Sequence, residues 1–174
     1  MKVNDTLKGK SILIADDEPD ILETLEESLD MCLIDTAPDF ETAKKFLNKN
    51  QYNAVILDIM GVQGYDLLQI TTGKGVPTLM LTAHALDPAH LIKAIKKGAG
   101  AYMPKDRIVD IPSFLADLLE AHQGSIEKQG KWFNRLRPFF DKKFGSGWRE
   151  KDKEFWDDFN NKYLPTKKEL ENLI

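Results

Sequence analysis

The chain has 174 residues, a net charge of -4 and one cysteine, which is enough for one well-cored domain of about 120 residues plus an appendage and short for two full domains. The lone Cys32 excludes an internal disulfide framework, and no Cys/His cluster suggests a zinc site. No apolar run approaches the ~18 residues of a membrane span and the opening Met1-Lys2-Val3-Asn4-Asp5 lacks the apolar stretch of a signal peptide, so a soluble, cytoplasmic protein is expected.

Strand-like runs begin at Ser11, Leu33, Ala54, Thr78 and Ala101, and the spacings of 22, 21, 24 and 23 residues each leave room for one helix. Five βα units of this size imply a parallel sheet with helices on both faces. The first run, Ser11-Ile12-Leu13-Ile14-Ala15, ends in Asp16-Asp17. Pro19 fits a first helical position ahead of Ile21, Leu22, Leu25 and Leu29. Cys32, at the second run, reads as a small buried hydrophobe, and Asp39 is placed to cap a helix burying Phe40, Ala43 and Leu47. The third run, Ala54-Val55-Ile56-Leu57, ends in Asp58. Between Gly64 and Gly73 the helical pattern is weakest, with only Tyr65, Leu67, Leu68 and Ile70 as apolar surface.

The fourth run, Leu79-Met80-Leu81, leads into Thr82-Ala83. Asp87-Pro88 then opens a helix with Leu91, Ile92 and Ile95 on one face and Gly98 as its stop. The fifth, Ala101-Tyr102-Met103-Pro104, leads into Lys105. After Pro112 the face Phe114, Leu115, Leu118, Leu119 and His122 runs to Gly124. His84 and His90 flank a loop and a helix start, while His122 on an apolar face is expected to be partly buried, so none is read as a phosphorelay histidine.

Character changes at Gly124. Residues 1–123 carry a net charge of -7 and residues 124–174 a net charge of +3, and the later segment holds most of the aromatics. Two units are expected, 9–123 and a helical extension over 124–174. In the extension Trp132, Phe133, Leu136 and Phe140 fall on one helical face, Pro138 marks a kink or a fresh start, and Gly145-Ser146-Gly147 is a break. Trp148, Phe155, Phe159 and Tyr163 form a second stripe that Pro165 ends, and Thr166 with Glu169 resembles a capping box for a last helix. These aromatics either fold the tail onto itself and the first unit or present an exposed surface to a partner protein or a second copy.

Runs buried on both faces of a parallel sheet deliver Asp16, Asp17 and Asp58 to its carboxyl edge, where open α/β folds bind ligands. Three carboxylates within about 4 Å of one another would repel by roughly 4 kcal/mol per pair at an effective dielectric of about 20, which calls for a cation. Mg²⁺ is expected, because it prefers hard oxygen ligands and binds through one or two carboxylates together with phosphate oxygens. Asp58, beside such an ion, can act as a nucleophile toward a phosphoryl group and form an aspartyl phosphate. Lys105 can pair with one phosphoryl oxygen and the Thr82 hydroxyl can donate to another.

These motifs resemble those of a bacterial two-component response-regulator receiver domain: the pair Asp16-Asp17, the acceptor Asp58, the step Thr82-Ala83, Lys105, and Tyr102 three residues before it. The resemblance covers residues 9 to about 123. It implies a flavodoxin-like, doubly wound five-stranded sheet of order 2-1-3-4-5 and phosphotransfer from a sensor histidine kinase or phosphotransfer protein. It also implies Mg²⁺ held by Asp17, Asp58 and the Met60 backbone carbonyl, with Asp16 acting mainly through water. Thr82 and Tyr102 are then the switch, the ring turning inward as the hydroxyl is drawn to the phosphoryl oxygens. The expected role is a phosphorylation-dependent signalling switch working through protein contacts, not an enzyme. Two departures stand out. The family's Gly lies eight residues beyond the acceptor, whereas Gly64 here lies six beyond Asp58; and Pro104 precedes Lys105 while Asp106 follows it, so the family's cis Lys-Pro peptide cannot form.

Rival readings fit less well. A haloacid-dehalogenase-like phosphatase needs a second Asp where Met60 stands, and its metal-binding acid pair comes late in the chain. An FMN carrier's first loop must accept a phosphate, which Asp16-Asp17-Glu18 would repel. A DNA-binding output is the remaining alternative, but no helix-turn-helix or winged-helix pattern appears after Gly124, and Glu150, Asp152, Glu154, Asp157 and Asp158 interrupt the basic residues, so nucleic acid is not expected as a partner.

Overall fold

The computed structural model of the chain describes residues 2–83, 86–124 and 129–163. His84, the side chain of Tyr163, Pro165 and the Thr166–Glu169 capping box lie outside the described residues. Five strands, β1 (Ser11–Ala15), β2 (Leu33–Ala37), β3 (Ala54–Asp58), β4 (Thr78–Thr82) and β5 (Ala101–Pro104), pair in parallel in the order β2-β1-β3-β4-β5. All five begin where the apolar runs begin. Every residue of β3, β4 and β5 is buried, as expected of strands covered on both faces. The chain crosses from β2 to β3 past β1, so the strand order reverses at β1, and right-handed crossovers put the helix after β1 on one face and the helices after β2, β3 and β4 on the other.

The helices are α1 (Lys2–Leu7), α2 (Pro19–Ser28), α3 (Phe40–Lys49), α4 (Gly64–Gly73), α5 (Pro88–Lys96), α6 (Ile111–His122), α7 (Lys131–Phe144) and α8 (Lys153–Tyr163), with 3₁₀ segments at Lys105–Asp110, kinked at Arg107, and at Glu150–Asp152. Their starts follow from side-chain caps. Asp39 accepts from the Thr42 amide at 2.7 Å and Asp87 from the His90 amide at 2.8 Å. Gly98 and Gly124 adopt left-handed φ values of 99° and 101°, ending α5 and α6 as read. The weak pattern of α4 nevertheless folds as a helix, because Leu67 and Leu68 are buried and the Tyr65 hydroxyl bonds to His90 of α5, with Oη 2.8 Å from Nδ1.

Some readings need correction. His122 is exposed: it is the last residue of α6, beyond the part of the helix that faces the sheet. Helix α7 runs through Pro138 without a break or a new start. In the second aromatic stripe Trp148 and Phe159 are buried as read, but the ring buried with them is Trp156, whereas Phe155 is only half-buried. Helix α1 has no counterpart in the reading at all. It packs on α6, where Thr6 Oγ1 donates to Glu120 at 3.0 Å, and Cys32 Sγ reaches the Leu7 carbonyl at 3.4 Å.

Most of the described tail aromatics are inside. Trp132, Phe133, Leu136, Phe140, Trp148, Trp156 and Phe159 are buried in one apolar cluster with the sheet residues, so the self-packed reading of the extension holds and the exposed aromatic surface does not. Helix α7 covers the edge strand β5, a standard way to protect an open sheet edge, and also meets α6. There Arg135 pairs with the largely buried Asp117 at 3.0 Å while its guanidinium lies 3.8 Å from the centre of the Phe114 ring. Among the described residues no helix is long and apolar enough to cross a membrane.

Buried phenols make stability depend on alkaline pH. Burial, then the hydrogen-bonded Asp35 carboxylate, pushes Tyr52 up to about 12, and burial, then the Asp87 charge, does the same for Tyr65. Burial raises Tyr102 as well. A phenol raised in the folded state contributes stability that is complete below its unfolded value near 10 and is lost as pH rises through the folded value. The urea midpoint is therefore expected to stay level up to pH about 10 and to fall from there toward pH 12. Tyr52→Phe should make that fall shallower, and an identical slope in the variant would refute the assignment.

Candidate functional site

Strand ends bring the acids and the lysine together. Asp16 follows β1, Asp58 ends β3 and Lys105 follows β5, and all three open at the carboxyl edge of the sheet. Lys105 Nζ lies 2.9 Å from Asp16 Oδ2, 3.3 Å from Asp58 Oδ1 and 3.2 Å from Glu18 Oε1. Asp16 and Asp58 are almost fully buried, at 1% and 6% exposure, which leaves an unpaired charge little water to lean on. The part of Lys105 as a partner of these carboxylates, and the presence of Glu18 in the same group, were not foreseen. Only adjacency to Asp16-Asp17 pointed to Glu18.

Hydrogen bonds set the carboxylates. Asp16 Oδ1 accepts the Glu18 amide at 2.9 Å and Asp58 Oδ2 accepts the Gly61 amide at 2.8 Å. Burial pushes the Asp16 carboxyl up, against the opposing pull of Lys105 and the Glu18 amide. Burial also works against the Lys105 ammonium, but Asp16, Asp58 and Glu18 outweigh it and its pKa is raised. The two shifts agree on one picture, a site crowded with negative charge around a retained ammonium.

The shortened loop after Asp58 is accommodated by two residues. Gln63 takes the left-handed conformation with φ 53°, and the Gly64 amide donates to the Ile59 carbonyl at 2.8 Å. A Cβ on Gly64 would strike the Asp58 carbonyl and come within 2.7 Å of Ile59 Cα, so only glycine closes this turn without displacement. Val62 and Ile59 are buried beneath it, and Met60 is 60% exposed at the rim.

The arrangement fits a divalent cation. A Cβ on Gly61 would collide with both Asp17 Oδ1 and Asp58 Oδ2, so the bare glycine leaves a cradle with two carboxylate oxygens on its walls. Asp16, Asp17 and Glu18 offer oxygens lying within 4.8 Å of one another. Asp16 Oδ2 is buried without a well-directed hydrogen bond, the ammonium meeting it by charge and distance alone. Three carboxylates then meet one ammonium while Asp17 adds a fourth beside Asp58, and hard oxygens in this number suit Mg²⁺. Thr82, at the end of β4, is 1% exposed; its neighbour Leu81 lies in register with Asp58. Tyr102 on β5, in register with Met80, is fully buried. The structure thus brings Asp16, Asp17, Asp58 and Lys105 into one pocket, with Thr82 on the adjoining strand and Tyr102 in the core behind it.

Residues 12–112 match the response regulator receiver domain family model. The chain belongs to that family. As a receiver it resembles the two-component response regulators ARR10 and ARR18 of Arabidopsis thaliana. ARR10 is 33% identical over 104 residues, 56% of this chain and 19% of that protein. ARR18 is 30% identical over 136 residues, 75% of this chain and 20% of that protein. The chain thus spans about a fifth of the length of these two relatives. Among solved structures, a receiver domain protein from Clostridium thermocellum is 25% identical with a TM-score of 0.56, covering 65% of this chain and 93% of that one. A CheY-like receiver domain protein from Methanospirillum hungatei shares the fold at 21% identity and a TM-score of 0.61, over 67% of this chain and 98% of that one. Both structures are covered almost completely while about a third of this receiver chain has no counterpart in them.

Proposed function

We propose that the receiver, residues 9–123, is a cytoplasmic phosphorylation-dependent switch whose acceptor is Asp58. The observation that carries this reading is the convergence on one buried carboxylate: Lys105 on Oδ1, the Gly61 amide on Oδ2, and Asp17 across the Gly61 cradle. A sensor histidine kinase or phosphotransfer protein is the donor. An Asp58 carboxylate oxygen forms the new O–P bond as the donor's N–P bond breaks, and the freed imidazole nitrogen takes a proton. Mg²⁺ would be held by Asp17, Asp58 and the Met60 carbonyl, with Asp16 through water. When bound it neutralises phosphoryl charge of about -2, which these carboxylates would otherwise repel.

Lys105 turns from the carboxylates toward a phosphoryl oxygen, and Asp16 and Glu18 hold it in place until then. The Thr82 hydroxyl donates to a second oxygen, a local charge event that biases a two-state surface formed by α5 and β5. Output is this change of surface and the protein contacts it governs, with no turnover of a substrate.

Incubation with acetyl phosphate and Mg²⁺ is expected to add one phosphoryl group by intact mass, and omission of the metal to prevent it. An equal adduct in excess EDTA would refute the metal's part. Thr82→Ala is expected to accept the group yet lose the phosphorylation-dependent change in hydrogen exchange over 86–105; an undiminished change would refute the coupling.

A further inference from the structure

Tyr102 is fully buried, and the aromatic ring against it belongs to the extension. Phe140 of α7 meets it with ring centroids 6.3 Å apart and planes tilted by 50°. The Tyr102 hydroxyl is engaged by the backbone of Asp87, just ahead of α5. Phe140 is itself fully buried and stacks on Phe133 at 6.0 Å and on Phe144 at 5.5 Å, with Trp148 edge-on at 6.4 Å. The Tyr102 ring therefore forms one margin of an aromatic array whose remainder lies beyond Gly124. A second attachment, the Arg135–Asp117 pair beside Phe114, fixes α7 to α6 without involving Tyr102. Helix α7 packs on β5, and Phe140 holds the place beside the Tyr102 ring on that side. Packing of α7 thus favours the inward ring from the side opposite the Asp58 site.

We propose that the α7–α8 extension is an intramolecular effector of the switch: docked on β5 it excludes the outward Tyr102 ring, so docking of the tail and occupation of the Asp58 site favour the same conformation. The proposal rests on the reading of Asp58 as acceptor and of Thr82 with Tyr102 as its readout. Two events that favour one state must strengthen each other equally, because coupling free energy is reciprocal. Occupation of the site therefore tightens the tail, and loosening the tail weakens the site. An autoinhibitory flap would carry the opposite sign, expelled when the site fills.

The test uses the full chain with beryllofluoride and Mg²⁺, a phosphoryl mimic whose binding can be read at equilibrium. Amide exchange over 131–144 is expected to slow by at least about fivefold on binding, the lower end of ordinary coupling. Phe140→Leu, which keeps an apolar group and removes the ring, should bind beryllofluoride at least about fivefold more weakly. If Phe140→Leu fails to show a single cooperative urea transition, Arg135→Gln loosens the second attachment and carries the same expectation. Exchange over 131–144 that is unchanged or faster on binding, or variants that bind as tightly as the parent, would overturn the proposal. Acetyl phosphate with intact mass keeps the two readings apart. An adduct on Asp58 with an indifferent tail refutes only the effector role, whereas absence of any adduct refutes the acceptor reading and the effector role with it.

Discussion

Asp58→Asn is expected to abolish phosphoryl uptake from acetyl phosphate while leaving the fold in place. An amide oxygen is a far weaker nucleophile than a carboxylate, so no O–P bond forms at this position. The fold survives because the Asn carbonyl can still accept the Gly61 amide, now 2.8 Å from Asp58 Oδ2, and because Lys105 keeps Asp16 at 2.9 Å and Glu18 at 3.2 Å as partners. Intact mass after incubation with acetyl phosphate and Mg²⁺ reads the first expectation, and the urea midpoint reads the second. A full adduct in the variant would place the acceptor elsewhere.

Phe133→Ala is expected to cost about 3–5 kcal/mol, the usual range for deleting a buried aromatic ring. Phe133 is fully buried and stacks on Trp156 with ring centroids 4.9 Å apart. Phe159 meets it at 5.2 Å, Trp132 at 5.8 Å and Phe140 at 6.0 Å. Such pairs contribute about 0.5–1.5 kcal/mol beyond their buried area. Because these rings share one apolar cluster with the sheet, the loss should appear as a lower urea midpoint of a single transition observed by both tail and sheet probes. A separate early transition confined to the tail would show that the extension folds independently of the receiver.

The sheet and most of the acid site were legible because their signals are local. A strand buried on both faces must be a short apolar run, and its last residue must emerge at the sheet edge, so Asp58, Thr82 and Lys105 could be placed by counting. Pro19, Asp39 and Asp87 carry their helix starts in their own backbone and side-chain chemistry.

Long-range packing decided the rest. Glu18 joins the site through a lysine 87 positions away in the chain, and the claim of Asp16 and Asp58 on that lysine depends on how β1, β3 and β5 assemble. Gly61 has no pattern of its own. Its importance comes from carboxylates on two different strand ends closing on the space where a side chain would stand.

The extension shows the limit most plainly. Its composition announced aromatic helices, yet an aromatic stripe has the same spacing whether it covers a neighbour or faces water. Only the fit of α7 against β5, with Phe140 on Tyr102 and Arg135 on Asp117, determined that most of the rings lie inside and that the tail reaches the buried Tyr102. Periodicity records which residues share a face. What that face meets depends on the complementary shape and charge of elements distant in the chain.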